Sequence, residues 1–270
     1  MEETIITSTQ NAKVKHVVAL QQKSALRRKE GLFVVEGRRE LMHCLEAGYE
    51  VAELFLLDSL APLGNIGSID RLTHLESLTS LVSPQVYEKM AYRGSTEGVI
   101  AVVRERQRLL EDLQLCASPL IIVLERVEKP GNLGAVLRSA DAAKADAVIV
   151  CDPLTDLYNP NLIRSSIGAV FSVPCVVCSS EDCIAFLKAR GIQILTAQLQ
   201  DSSLYYDTDM QRGTAIVMGT ESTGLTDQWR QAADAHIRIP MLGQLDSLNV
   251  SVSAAILLFE AVRQRQSQKM

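Results

Sequence analysis

Five polar side chains stand at or near three turns that each lead from an apolar run into a helical pattern: Asn132, Arg138, Glu221, Ser247 and Asn249. A guanidinium, a carboxylate, two amides and a hydroxyl can together hold an anionic group and orient a hydroxyl nucleophile. Strand-to-helix turns are where α/β proteins hold ligands. Gly131, Gly134, Gly219, Gly224 and Gly243 accompany them and permit close backbone approach. Each polar residue also has a plainer reading. Asn132 and Asn249 are suited to capping helices, Glu221 to a helix N-terminus, and Arg138 to a surface pair with Asp141. Three common sites are excluded: Gly131-Asn132-Leu133-Gly134 lacks dinucleotide-loop spacing, and there is neither a Walker A loop nor a G-x-S-x-G elbow.

The elements that must position these residues follow from periodicity. Apolar runs at 121–124, 147–150, 192–197, 214–218 and 236–239 read as buried parallel strands, and Phe171 to Val177 as another. Helices are expected at 135–144, from Asn159-Pro160 through 167, at 181–190, and from Ser247–Asn249 onward, where Val250, Ala254, Leu257, Leu258 and Ala261 recur at helical spacing. This alternation predicts a mostly parallel sheet covered on both faces. Ahead of it, helices at 10–22, 38–47 and 84–90 and strands at 32–35, 51–57 and 98–103 form a smaller α/β domain. Ala12, His16, Ala19 and Leu20 would share one face of the first helix. Pro62, Gly64, Asn65 and Gly67 mark a loop. The domains expected are residues 1–107, a charged linker at 108–118, and residues 119–270.

Of the 270 residues, 47% are hydrophobic and 22% charged, a core-forming composition. No apolar run is long enough to span a bilayer and the first residues do not form a secretory signal, which favours the cytoplasm. Several of the six cysteines sit in apolar runs as small hydrophobes, Cys175-Val-Val-Cys178 has no second pair or nearby His, and the four scattered histidines give no metal-ligand spacing, so no metal is expected. The net charge of −5 is uneven: residues 1–110 are balanced and the excess acid lies beyond them. Within the balanced half, Lys13, Lys15, Lys23, Arg27, Arg28, Lys29, Arg38 and Arg39 face only Glu30 and Glu36 between residues 13 and 39. This is either a solvated helix face or a phosphate-binding patch. Phe33, inside an apolar strand run, reads as core rather than as a base-stacking platform.

Three segments carry a resemblance. Asn132-Leu133-Gly134-Ala135-Val136-Leu137-Arg138, Met218-Gly219-Thr220-Glu221-Ser222-Thr223-Gly224-Leu225, and Ile239-Pro240-Met241 with Ser247-Leu248-Asn249-Val250-Ser251 resemble, in order and spacing, the three signature motifs of the SpoU/TrmH branch of the SPOUT RNA methyltransferases. The likeness spans residues 119–265. Ser222 departs from the pattern, which more often has Gly. Upstream, Asn11-Ala12-Lys13-Val14-Lys15 and residues 31–40 resemble the substrate-binding domain of the family's ribosomal-RNA enzymes, similar in fold to small ribosomal proteins.

The resemblance implies S-adenosylmethionine-dependent 2′-O-methylation of an RNA ribose, with 23S ribosomal RNA the expected substrate. The alternatives are a tRNA ribose methyltransferase or a non-catalytic RNA-binding assembly factor. It implies a C-terminal α/β domain with a deep trefoil knot, homodimerisation through that domain, and chemistry without a metal. Asn132, Arg138, Glu221, Ser247 and Asn249 would be the catalytic group, and Met218, Gly219, Glu221, Ile239, Met241 and Leu248 would hold the cofactor. Lys13, Lys15, Arg27, Arg28, Lys29, Arg38 and Arg39 would contact RNA.

Overall fold

The computed structural model describes residues 5–60, 75–92, 97–220 and 222–266. The expected loop at Pro62, Gly64, Asn65 and Gly67 and the candidate Glu221 lie outside them. In chain order the first elements are α1 (Ala12–Gln22), α2 (Ser24–Glu30), β1 (Leu32–Glu36), α3 (Arg38–Glu46), β2 (Val51–Leu57), β3 (Thr79–Val82), α4 (Pro84–Met90) and β4 (Val99–Arg104). Then come β5 (Leu120–Glu125), α5 (Pro130–Ala142), β6 (Ala147–Cys151), α6 (Pro160–Ser166), α7 (Ala169–Ser172) and β7 (Cys175–Cys178). The remainder forms α8 (Ser180–Ala189), β8 (Gln193–Ala197), β9 (Ser203–Leu204), β10 (Thr214–Met218), α9 (Asp227–Ala232), β11 (Ala235–Arg238) and α10 (Val250–Gln266).

These elements fall into two compact units, residues 1–106 with 156–172, and residues 107–155 with 173–270. The division differs from the one expected in sequence. Residues 156–172 join the first unit because Tyr158 stacks on Phe33 at a centroid distance of 4.2 Å and Phe171 lies 5.9 Å from the same ring. Phe33 is fully buried, as its apolar run requires. The expected linker does not form a separate connector either: Leu110 and Leu113 are buried in the core of the second unit.

The first unit has a four-stranded sheet in the order β1-β4-β2-β3. Of its two inner strands, β4 is an apolar run, β-branched except at Ala101, whose Val99 to Val103 are all buried. Asn11 caps α1 by accepting from the Lys13 N–H at 2.9 Å. The buried face of α1 is Val14, Val17, Leu20 and Gln21. Of the residues expected there, only Leu20 is buried, and Ala12 is exposed. Val14 and Val17 define the stripe because branched side chains remove more apolar surface than alanine.

The second unit has a seven-stranded sheet, β7-β6-β5-β10-β8-β11-β9, in which every pairing is parallel. Its central strands are buried on both faces, hence their continuous apolar runs. In β10, inserted between β5 and β8, all five residues are buried. Helix α10 packs on α5 and against both β5 and β10. Two expectations shift. Helix α5 starts at Pro130 rather than Ala135, since Pro fits the first helical turn. Phe171 and Ser172 are helical, and strand pairing begins only after Pro174, which has no N–H to donate.

Candidate active site and nucleic-acid surface

Parallel strands place the turns after β5, β10 and β11 on one edge of the sheet. A pocket opens between the first two, lined by Leu124, Glu125, Val127, Glu128, Lys129, Asn132, Met218, Gly219, Thr220, Ser222 and Val250. Its walls are partly apolar through Leu124, Val127, Met218 and Val250. Its polar groups come from the strand ends and the first turn of α5. Asn132, Met218 and Gly219 of the expected residues line it directly.

Asn249 reaches this rim through Asn132. Its side-chain amide donates to Asn132 Oδ1 at 3.2 Å, while its own Oδ1 accepts from the Ser251 N–H at 2.9 Å and the Ser251 hydroxyl at 2.6 Å. Asn249 is therefore both the cap of α10 and the link to α5. Asn132 is not a cap, because it lies inside α5 and its N–H bonds Lys129 O at 3.1 Å. Arg138 is exposed farther along α5 and does not line the pocket. It has no ion pair or hydrogen bond with any described residue, so the surface pair with Asp141 is not formed. Ser247 is exposed and donates to Asp246 Oδ1 at 3.2 Å. Ile239 and Met241 are half-buried in the segment before α10, and Leu248 is exposed; none of them lines the pocket.

The loop after β10 closes on itself. Thr220 and Gly224 exchange backbone hydrogen bonds of 3.2 and 3.1 Å, and Gly224 takes the left-handed conformation at φ +68°. A side chain on Gly219 would collide with the Gly224 carbonyl, so position 219 admits only glycine in this conformation. Ser222 sits in a hydroxyl cluster in which Thr220 Oγ1 lies 2.8 Å from Thr223 Oγ1 and 3.4 Å from Ser222 Oγ.

Glu125 belongs to the same site. Only 2% exposed, it accepts from the Thr226 N–H at 2.9 Å and the Thr226 hydroxyl at 2.6 Å, pinning the far end of the same loop. A carboxylate ending the apolar run Leu120 to Leu124 was the available signal, since a buried charge needs donors.

Within the first unit, the basic residues divide. Lys15 and Lys23 line a groove along α1 with Thr9, Gln10, Gln22 and Lys89. Lys89 comes from α4, so no local spacing announced it. Arg28 and Lys29 are exposed on α2, Arg39 is exposed with a 3.0 Å contact to Glu40, Arg38 is half-buried, and Lys13 pairs with Glu53 at 3.3 Å. Arg27 is a correction. It is 4% exposed, donates to Leu20 O at 2.5 Å and Gln21 O at 3.1 Å, and pairs with Asp156 at 2.5 Å. It closes the C-terminus of α1, and its burial keeps it off an RNA-facing surface.

Residues 119–259 match the family model described as the SpoU rRNA methylase family, and residues 11–101 match that of the MRM3-like substrate-binding domain. A 23S rRNA (uridine(2479)-2'-O)-methyltransferase from Streptomyces viridochromogenes is 31% identical over 269 residues, covering 96% of this chain and 92% of that protein. A 23S rRNA (guanosine(2553)-2'-O)-methyltransferase, RlmP, from Bacillus subtilis is 28% identical, covering 94% and 97%. The crystal structure of an AdoMet-bound rRNA methyltransferase from Sinorhizobium meliloti superposes with a TM-score of 0.88 at 29% identity, covering 96% of this chain and 97% of that one. With the matched region spanning the whole parallel sheet and all three turns at its edge, the chain belongs to the SpoU rRNA methylase family.

Proposed function

We propose that this protein is an S-adenosylmethionine-dependent methyltransferase that 2′-O-methylates a ribose in 23S ribosomal RNA. The observation that carries the reading is the pocket at the edge of the parallel sheet, with Asn132 and Asn249 joined at its rim. A substrate-binding module ahead of the sheet, and relatives named as 23S rRNA enzymes that match over nearly their whole length, support ribosomal RNA over tRNA.

The pocket fits the cofactor on its own chemistry. Leu124, Val127, Met218 and Val250 offer apolar walls for a purine, and Glu128 an exposed carboxylate for hydroxyls or a cationic centre. Gly219, with Glu221, Ile239, Met241 and Leu248, would complete the cradle. When bound, the cofactor supplies an electrophilic methyl group with a neutral thioether as leaving group. A ribose 2′-hydroxyl is a poor nucleophile and loses its proton as it attacks. Alignment of the reacting groups supplies much of the rate. Arg138 would act as a donor and cation rather than a base, as guanidinium groups do: it clamps a phosphate and stabilises the developing alkoxide. Asn132, Glu221, Ser247 and Asn249 orient the hydroxyl and the loop.

RNA contacts fall to Lys13, Lys15, Arg28, Lys29, Arg38 and Arg39, joined by Lys23 and Lys89 of the groove. Such contacts are independent of base sequence and salt-sensitive. The C-terminal segment would thread a trefoil knot, and the unit would pair with a second copy. Leu242, Leu245 and Phe259, exposed at 96%, 75% and 48%, support a partner surface there. No helix among the described residues is long and apolar enough to cross a membrane, consistent with work on ribosomes in the cytoplasm.

The test is methyl transfer to ribosomal RNA from cells lacking this gene, with ribose methyls mapped by position. Arg138→Ala should abolish transfer while calorimetry shows S-adenosylmethionine binding nearly intact. Full activity in that variant would overturn the role given to Arg138. Wild-type protein that binds no S-adenosylmethionine would overturn the enzyme reading in favour of a non-catalytic RNA-binding factor.

A further inference from the structure

The Cys175-x-x-Cys178 pair is not a chelating unit. Both lie in β7, and an odd offset along a strand sends the two side chains to opposite faces. The fold instead gathers a different set. Cys151 ends β6, Cys178 ends the neighbouring β7 and is its partner in register, and Cys183 lies in the first turn of α8. Their three sulfur atoms all lie within 4.8 Å of one another, and none is in a disulfide.

We propose that Cys151, Cys178 and Cys183 form a trithiolate site for a thiophilic d10 metal ion such as zinc, cadmium or monovalent copper. Metal–thiolate bonds of about 2.3 Å put the sulfurs of such a site roughly 4 Å apart. The sulfurs therefore stand within about 1 Å of the separations such a site needs. Thiolates select soft ions. Cys151 and Cys183 are fully enclosed, and Cys178 is half-exposed, which gives the ion its way in. Cys178 also precedes the Ser179 cap of α8, where the helix dipole favours negative charge. The Asp152 and Asp182 carboxylates oppose a bare thiolate there, but the same charges favour a cation. On binding, each metal–sulfur bond replaces an S–H bond, and the thiol protons leave to solvent. None of the three cysteines lines the methyl-transfer pocket, so the site is separate from it.

The probe is cadmium, added to the full-length chain under a non-thiol reductant. A Cys116→Ser background removes the exposed thiol. One equivalent should raise the sulfur-to-metal charge-transfer absorption to saturation, raise the melting midpoint, and protect Cys178 from alkylation, read by mass spectrometry. Cys178→Ser should weaken binding at least tenfold, and Cys175→Ser should leave it unchanged. The alkylation measurement needs no variant, so it stands even if Cys183→Ala fails to fold. Absence of the absorption, its persistence in Cys178→Ser, or equal loss in Cys175→Ser would each overturn the proposal.

Discussion

The Asn249 amide donates to Asn132 Oδ1 at 3.2 Å, across 117 residues of chain. This bond ties the start of α10 to the first turn of α5 at the rim of the pocket. Asn249 also caps α10, so its two jobs separate by substitution. Asn249→Ala should lower stability by about 1 kcal/mol, the usual cost of a lost cap, and reduce methyl transfer. Asn132→Ala should leave the cap intact and reduce methyl transfer alone. The double variant should lose less activity than the two losses combined, because each single change already breaks the shared bond. Strict additivity in a kinetic double-mutant cycle would show that the contact does not serve the reaction.

Gly219 and Gly224 form the other constraint on the pocket. The loop between them is closed by the Thr220–Gly224 bridge, and a Cβ at 219 would meet the Gly224 carbonyl. Gly219→Ala must open the loop to survive. Cofactor affinity should fall at least tenfold by calorimetry, with a loss of stability of roughly 1–3 kcal/mol, as overpacking costs elsewhere. Ser222→Gly, which removes only a hydroxymethyl group from the Thr220 cluster, should change affinity less than threefold. Equal effects from both would mean that the bridge does not shape the pocket.

The order of strands and helices in the parallel sheet was legible because buried β-branched runs and helical spacing have different periods. The three turns were legible because polar and glycine residues interrupt those runs. The rest depends on tertiary contact. Lys89 reaches the α1 groove from α4, and Glu125 becomes a clamp only when Thr226 arrives beside it. Residues 156–172 joined the first unit through aromatic stacking on Phe33, which no local pattern encodes. Arg27 and Arg28 are neighbours in a uniform basic run, and one helix step decides that one is buried and the other exposed.

Burial of Arg27 makes its forecast opposite to that for the lysines of the α1 groove. Arg27→Ala removes the buried partner and leaves the half-buried Asp156 carboxylate uncompensated. It should destabilise the chain by about 3–5 kcal/mol, read by chemical denaturation. Lys15→Gln with Lys23→Gln should leave stability within about 0.5 kcal/mol, as surface changes do. The same pair should weaken ribosomal-RNA binding and flatten its salt dependence by nearly one unit per lost phosphate contact. An unchanged salt slope in the double lysine variant would remove the α1 groove from the RNA surface.

Glu105 carries a pH dependence. Burial, and then the nearby Asp156 carboxylate, push its carboxyl above the ordinary value of 4.5. The folded chain therefore holds this proton more tightly than the unfolded chain does. Ionised Glu105 costs the fold stability, and that cost sets in as pH rises through 4.5 and is fully present once the folded group has ionised. Glu105→Gln removes the cost without removing the side chain. Its melting midpoint should exceed that of the parent at pH 7, and the gain should vanish below pH 4.5, where both side chains are neutral. A gain of equal size at both pH values would assign the effect to packing rather than to the charge.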